Sequence, residues 1–136
     1  MRFPLLTVSA GFPSPAENWA ELAVNLHDLL VARPDTTYFV RVCGNSMFHA
    51  GITDGDLLVV DRAVEARNCD IIIASLKAGL TIKRYLLDHQ TILLKAEHPS
   101  YPTLTVTPQM QFEVWGVVLF SIRPLHPLAQ HRLRPS

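Results

Sequence analysis

Two residues have the types and the setting for covalent chemistry. Ser46 lies in Gly44-Asn45-Ser46-Met47, directly after the β-rich run Tyr38-Phe39-Val40-Arg41-Val42-Cys43. A glycine there lets the chain turn sharply, and loops held by a rigid strand are a usual home for reactive side chains. The plainer reading of Asn-Ser is turn chemistry alone. Lys83 sits inside Leu80-Thr81-Ile82-Lys83-Arg84-Tyr85-Leu86-Leu87. Strand alternation sets Thr81, Lys83 and Tyr85 on one face and Leu80, Ile82, Arg84 and Leu86 on the other. Taken alone, that pattern reads as a solvated lysine on an exposed sheet face. Taken together, a serine and a lysine have a chemistry of their own. A hydroxyl is a poor nucleophile until a base removes its proton, and a neutral lysine amine can be that base. Free lysine titrates near about 10.4, and an apolar wall can lower that by as much as about 3–5 pH units. Met47, Ile52, Val59, Ile82 and Tyr85 are candidates for the wall. The backbone N–H groups of Asn45 and Ser46 are candidates for holding an oxyanion.

These residues need elements to position them. Met1 to Ala10 carry no helix signal, and Thr7 to Gly11 suit an extended segment. Ser14 is placed to N-cap a helix, Pro15 sits at its first position, and Glu17 closes a capping box. Trp19, Leu22, Ala23, Leu26, Leu29 and Leu30 then recur at helical spacing. An amphipathic helix is expected from about residue 15 to 31, stopped by Pro34. After Thr36 the pattern becomes strand-like. Strands are expected at 38–43, 56–60, 71–76, 80–87, 91–96, 104–106 and 112–122, the last broken or bulged near Gly116. Turn signals separate them, among them Thr53-Asp54-Gly55 and Ala78-Gly79. The expectation is a mainly β fold of small curved antiparallel sheets with one N-terminal amphipathic helix. The tail at 126–136 has little periodicity and is expected to be mobile.

Composition narrows the field without naming an activity. The chain has 136 residues, 12 basic and 12 acidic side chains, and 49% hydrophobic residues. One compact domain with a real core is the expectation at this length. Zero formal net charge gives no electrostatic case for general DNA or membrane-surface binding. No apolar run reaches the roughly 18 residues of a membrane span. Leu5 to Val8 is too short for a signal-peptide core, so a cytoplasmic protein is expected. Cys43 and Cys69 form no CxxC pair and suggest neither a disulfide framework nor a zinc site.

Other constellations are weaker. The six histidines show no metal-binding spacing, so no metal and no cofactor is expected. His49 stands three residues after Ser46, but side chains so close on a loop often point apart. Asp54 and Asp56 are expected to shape their turn. Cys43 reads as a buried small apolar residue, and Trp19 as a packing anchor.

Four segments together resemble the LexA/UmuD family of self-cleaving Ser-Lys peptidases, its UmuD branch most closely. Ala10-Gly11-Phe12-Pro13-Ser14-Pro15 is similar to the family's cleavage site, a small residue before glycine. Residues 38–47 are similar to the nucleophile strand with its Gly-x-Ser-Met. Gly51-Ile52-Thr53-Asp54-Gly55-Asp56-Leu57-Leu58-Val59-Val60-Asp61 is a highly specific family block. Thr81-Ile82-Lys83-Arg84 is similar to the lysine strand. Ser46 and Lys83 are 37 residues apart, and Gly11 and Ser46 are 35 apart, which agrees with the UmuD pattern. In combination these matches override the plainer readings of both residues.

The resemblance implies a LexA-like peptidase fold with Ser46 as nucleophile and Lys83 as general base. It implies cleavage of the chain's own Ala10–Gly11 bond, which divides it into a cleavable arm at 1–10 and a peptidase-like domain at 11–125. It further implies stimulation by a RecA–single-stranded DNA filament in the SOS response. The processed homodimer would then be an accessory subunit of a UmuC-like translesion polymerase. No helix-turn-helix precedes the cleavage-site match, so sequence-specific DNA binding is not expected. The competing expectations are a dimeric partner-binding module with a relic site, and a Ser-Lys peptidase acting on other proteins.

Overall fold

The structure is a computed structural model that describes residues 1–13 and 22–133. It divides into two compact units, residues 1–34 and 35–136.

The first unit is built on a two-stranded antiparallel sheet. Strand β1 (Arg2–Leu5) pairs with β2 (Leu22–Asn25), Arg2 opposite Asn25 and Leu5 opposite Leu22. Pro4 is tolerated because a two-stranded sheet is all edge. Helix α1 (Leu26–Leu30) follows, its first turn capped by the Asn25 side chain, which accepts from the Asp28 N–H at 3.2 Å. This corrects the expected helix at 15–31 over residues 22–25, while α1 falls within its span. Residues 22–25 satisfy their backbone groups across the ladder to β1, and pairing overrides helical spacing. Ser14, Pro15, Glu17 and Trp19 lie outside the described residues. The extended segment also moves, since β1 occupies 2–5 and residues 7–11 form no strand.

The second unit is a seven-stranded, wholly antiparallel sheet. Its strands are β3 (Thr37–Arg41), β4 (Leu57–Asp61), β5 (Ile71–Leu76), β6 (Gly79–Asp88), β7 (Thr91–Lys95), β8 (Leu104–Thr105) and β9 (Glu113–Ile122). Their spatial order is β3-β4-β9-β5-β6-β7-β8. All seven expected strands form, with ends shifted by one or two residues. The chain's last strand, β9, is central. It carries two register shifts, one opposite Val59/Val60 and one opposite Ile73/Ala74. The second leaves Trp115 as the extra residue beside Gly116, where a break was expected. Such bulges bend a strand and raise its twist, in keeping with the curved sheets expected. Gly116 is required by a close approach: a Cβ there would stand 2.5 Å from Val60 Cγ1.

The core has two parts. Val42, Met47, Ile52, Leu58, Val60 and Ile73 form one cluster. Ile72, Ala74, Tyr85, Leu94 and Val117 form the other. Consecutive Ile72 and Ile73 point to opposite faces of β5, yet each is fully or nearly fully buried in a different cluster. The middle of the sheet is therefore covered on both faces. The 126–136 segment is not featureless. Helix α2 (Pro127–Arg132) starts with proline at its first turn and the His126 side chain as cap. Arg41 Nη2 donates to the Leu133 carbonyl.

Candidate active site

Ser46 sits where β3 runs out into a pair of facing turns. Gly44 adopts φ of +96°, open to glycine and rarely to other residues. The chain then turns through Asn45 and Ser46 into a short 3-10 turn at Phe48–Ala50. Phe48 N–H donates to Asn45 O at 3.1 Å, and Ala50 and Ile52 N–H both donate to Met47 O. Met47 plugs this loop into the core at 2% exposure, and Ser46 is left half-buried at its surface. Among the described residues, the Asn45 and Ser46 N–H groups donate to no protein acceptor.

A second turn, Thr53–Asp56, backs the first. Val42 N–H donates to Asp56 O at 2.9 Å, and Gly55 N–H to Val42 O at 2.8 Å. Gly44 N–H donates to Asp54 Oδ1 at 2.8 Å, and Asp54 N–H to Asn45 Oδ1 at 3.3 Å. Beneath them lies Asp56, 1% exposed. Its carboxylate accepts from Thr53 N–H, Thr53 Oγ1, Ser121 Oγ, Arg123 Nε and Arg123 Nη2. Burial alone would raise its pKa. The hydrogen bonds from Arg123, Thr53 and Ser121, with the Arg123 charge, outweigh that and hold the carboxyl below its ordinary value. Arg123 is raised in turn, chiefly by its hydrogen bond to Asp56, so both partners favour the ion pair. Arg123 Nη2 also donates to the Gly51 carbonyl at 2.5 Å. Ser121 and Arg123 went unnoticed in the sequence, because nothing near the end of a strand marks residues that reach some 65 positions back.

Lys83 is in the middle of β6, opposite Ile72 on β5. It is 8% exposed, which overturns the solvated reading of its strand face. Tyr85 on the same face is also buried, and Ile72 is fully so. Desolvation lowers the ammonium's pKa, and it is the single cause. Among the described residues no carboxylate pairs with it.

A cleft of about 250 Å³ lies along Ser46. One wall is Val40 to Gly44, the other is Leu80, Thr81 and Ile82, with Met47 and Ile73 at its base. Thr81 precedes Lys83 by two residues and shares its strand face. The nucleophile turn and residues 80–82 of the lysine strand thus border one cleft, and Lys83 itself is not among its lining residues. Among the described residues no hydrogen bond joins the Ser46 hydroxyl to the Lys83 ammonium. Cys43 is exposed and lines the cleft, contrary to the buried position expected for it. His49 points elsewhere: its ring stacks on His98 with centroids 5.8 Å apart.

Ala10 and Gly11 belong to the other unit. Every described residue from Met1 to Pro13 is exposed. Gly11 N–H donates to Ser9 Oγ at 3.3 Å. Ala10 and Gly11, on either side of the peptide bond expected to be cut, are therefore both exposed.

Among the described residues, no helix is long and apolar enough to cross a membrane. The Peptidase S24-like family profile matches residues 4–119. Protein MucA of Salmonella typhimurium is 40% identical over 121 residues, covering 88% of this chain and 82% of MucA. Protein ImpA of Shigella flexneri is 44% identical over 96 residues, covering 70% of this chain and 66% of ImpA. The LexA repressor of Verminephrobacter eiseniae is 41% identical over 117 residues, 85% of this chain but 51% of that repressor.

Proposed function

Because the chain belongs to the Peptidase S24-like family, as a UmuD-like member of its LexA/UmuD group, we propose that Ser46 and Lys83 cut the chain's own Ala10–Gly11 bond. The observation that carries this reading is Lys83 itself. A lysine with no carboxylate partner among the described residues, desolvated in a sheet covered on both faces, is costly to keep unless its neutral amine is used.

The chemistry follows from the groups present. The Lys83 amine takes the Ser46 hydroxyl proton as Oγ attacks the Ala10 carbonyl carbon. The tetrahedral oxyanion is met by the Asn45 and Ser46 N–H groups, which have no acceptor to give up among the described residues. The proton passes from Lys83 to the Gly11 nitrogen as the peptide bond breaks. Residues 1–10 remain as an ester on Ser46, and the newly freed Gly11 amine moves out of the cleft as the leaving group. Lys83 then activates a water that hydrolyses the ester. Ala10 suits a narrow subsite, and Gly11 can take backbone angles closed to other residues. Val8, two residues earlier, would fill a second apolar subsite if the arm lies as a strand in the cleft.

Similarity to MucA, ImpA and LexA supports placing this cleavage in the SOS response, with a RecA–single-stranded DNA filament as promoter. The filament would stabilise the arm conformation in which Ala10–Gly11 reaches Ser46. The same likeness supports a homodimer that serves a UmuC-like translesion polymerase once residues 1–10 are gone. Intact mass tests the reading. Incubation at alkaline pH, or with activated RecA, should remove residues 1–10 from the wild type and leave Ser46→Ala and Lys83→Ala whole. A wild type that stays full length under both conditions leaves only a binding module. A Ser46→Ala variant cut like the wild type removes Ser46 from the reaction.

A further inference from the structure

An oxyanion hole made of backbone amides works only if those amides are held in one direction before the reaction. The turn that carries them is held by its own backbone on one side only, where Phe48 N–H donates to Asn45 O. Gly44 enters it at φ of +96°, and glycine moves between backbone basins at little cost. Asn45 is exposed and Ser46 half-buried, so packing restrains neither.

Two hydrogen bonds supply what packing does not. The Asp54 carboxylate takes the Gly44 N–H at 2.8 Å, one residue before the first proposed oxyanion donor. The Asn45 side-chain oxygen takes the Asp54 N–H at 3.3 Å. Each residue thus binds the other turn's backbone through its side chain. The backbone pairing of Val42 with Gly55 and Asp56 keeps the two turns side by side, so the arrangement closes on itself.

We infer that Asp54 and Asn45 form a reciprocal clamp that fixes the peptide planes of the nucleophile turn, which makes Asp54 a positioning residue for acyl transfer at Ser46. This rests on the role proposed above for Ser46. Asp54 touches no reacting atom; it acts through the Gly44 N–H and the Asn45 side chain. Its oxygen is needed as an acceptor, and its charge is not. Asparagine at position 54 keeps an accepting oxygen toward Gly44 N–H, whereas alanine has none.

The test compares Asp54→Ala and Asp54→Asn with the wild type in the full chain. Self-cleavage at alkaline pH is followed by intact mass, and hydrogen exchange is read at the Gly44 amide. Losing the Gly44 hydrogen bond should slow Asp54→Ala about tenfold. Asp54→Asn should stay within about twofold of the wild type. Gly44 exchange should quicken in Asp54→Ala and not in Asp54→Asn. A role confined to fold stability would lower the melting temperature of Asp54→Ala without a matching loss of rate well below that temperature. The clamp is overturned if Asp54→Ala cleaves at the wild-type rate, if Asp54→Asn is as slow as Asp54→Ala, or if Gly44 exchange is unmoved in Asp54→Ala. If Ser46→Ala is cut normally, the catalytic reading of Ser46 fails and the positioning role falls with it. The Gly44 exchange result still judges the clamp as geometry.

Discussion

Replacing Asp56 should cost the second unit several kcal/mol of stability. Its carboxylate is 1% exposed and accepts five hydrogen bonds, two of them from Arg123 at 2.8 Å. Removing one member of a buried charge pair costs about 3–5 kcal/mol. The Arg123 side chain is 40% exposed, so solvent takes up part of its loss and the figure falls to about 3 kcal/mol. With an unfolding entropy of about 2.1 cal/mol/K per residue over 136 residues, that is a drop of about 10 °C in melting temperature. Asparagine should not rescue. Arg123 donates to both oxygens, so either amide orientation points an NH2 group at a guanidinium N–H. The pH dependence has a definite sign. The folded-state pKa lies below the ordinary value. The stabilisation is therefore complete above about pH 4 and is lost as pH falls from there through the folded-state pKa. Thermal melts of wild type, Asp56→Ala and Asp56→Asn at neutral pH and near pH 2 read this directly. An Asp56→Asn protein as stable as the wild type, or a deficit unchanged in acid, would refute the reasoning.

Three further outcomes follow from the same geometry. Gly116→Ala should lose about 1–3 kcal/mol by overpacking, because the new methyl meets Val60 Cγ1, on a fully buried residue, at 2.5 Å; a urea midpoint equal to the wild type's would contradict the packing. Lys83→Met should raise the neutral-pH melting temperature, since it removes a desolvated ammonium. That gain should shrink as pH rises from the lowered folded-state pKa toward the ordinary lysine value, where the wild type recovers stability because its unfolded state binds more protons; a gain that does not change with pH counts against the sign. The self-cleavage rate should climb with pH and level off as Lys83 becomes neutral; a flat profile would remove Lys83 as base.

What the sequence made legible, and what it did not, has a physical pattern. The strands were visible because β-branched and aromatic runs between Gly and Asp turns are local signals, and the Gly116 bulge was visible because a glycine interrupts such a run. The expected helix at 15–31 was misread over 22–25, where apolar spacing fits a helix but the backbone pairs with Arg2–Leu5, a partner some twenty positions away. Lys83 looked solvated because alternation assumes that one sheet face meets water. Here Ile72 and Ile73 are both covered, so alternation no longer reports exposure. Asp54 and Asp56 were read as turn formers, and they are. The tie of Asp56 to Ser121 and Arg123 is tertiary and left no local mark.

The account turns on whether the Lys83 amine is neutral when a serine needs it. The direct measurement is an NMR titration of the Lys83 side-chain Cε resonance in the Ser46→Ala protein, which cannot consume itself. The account predicts a midpoint clearly below that of an ordinary lysine. A midpoint at or above the ordinary value, in a folded chain, would leave Ser46 without a base and contradict it.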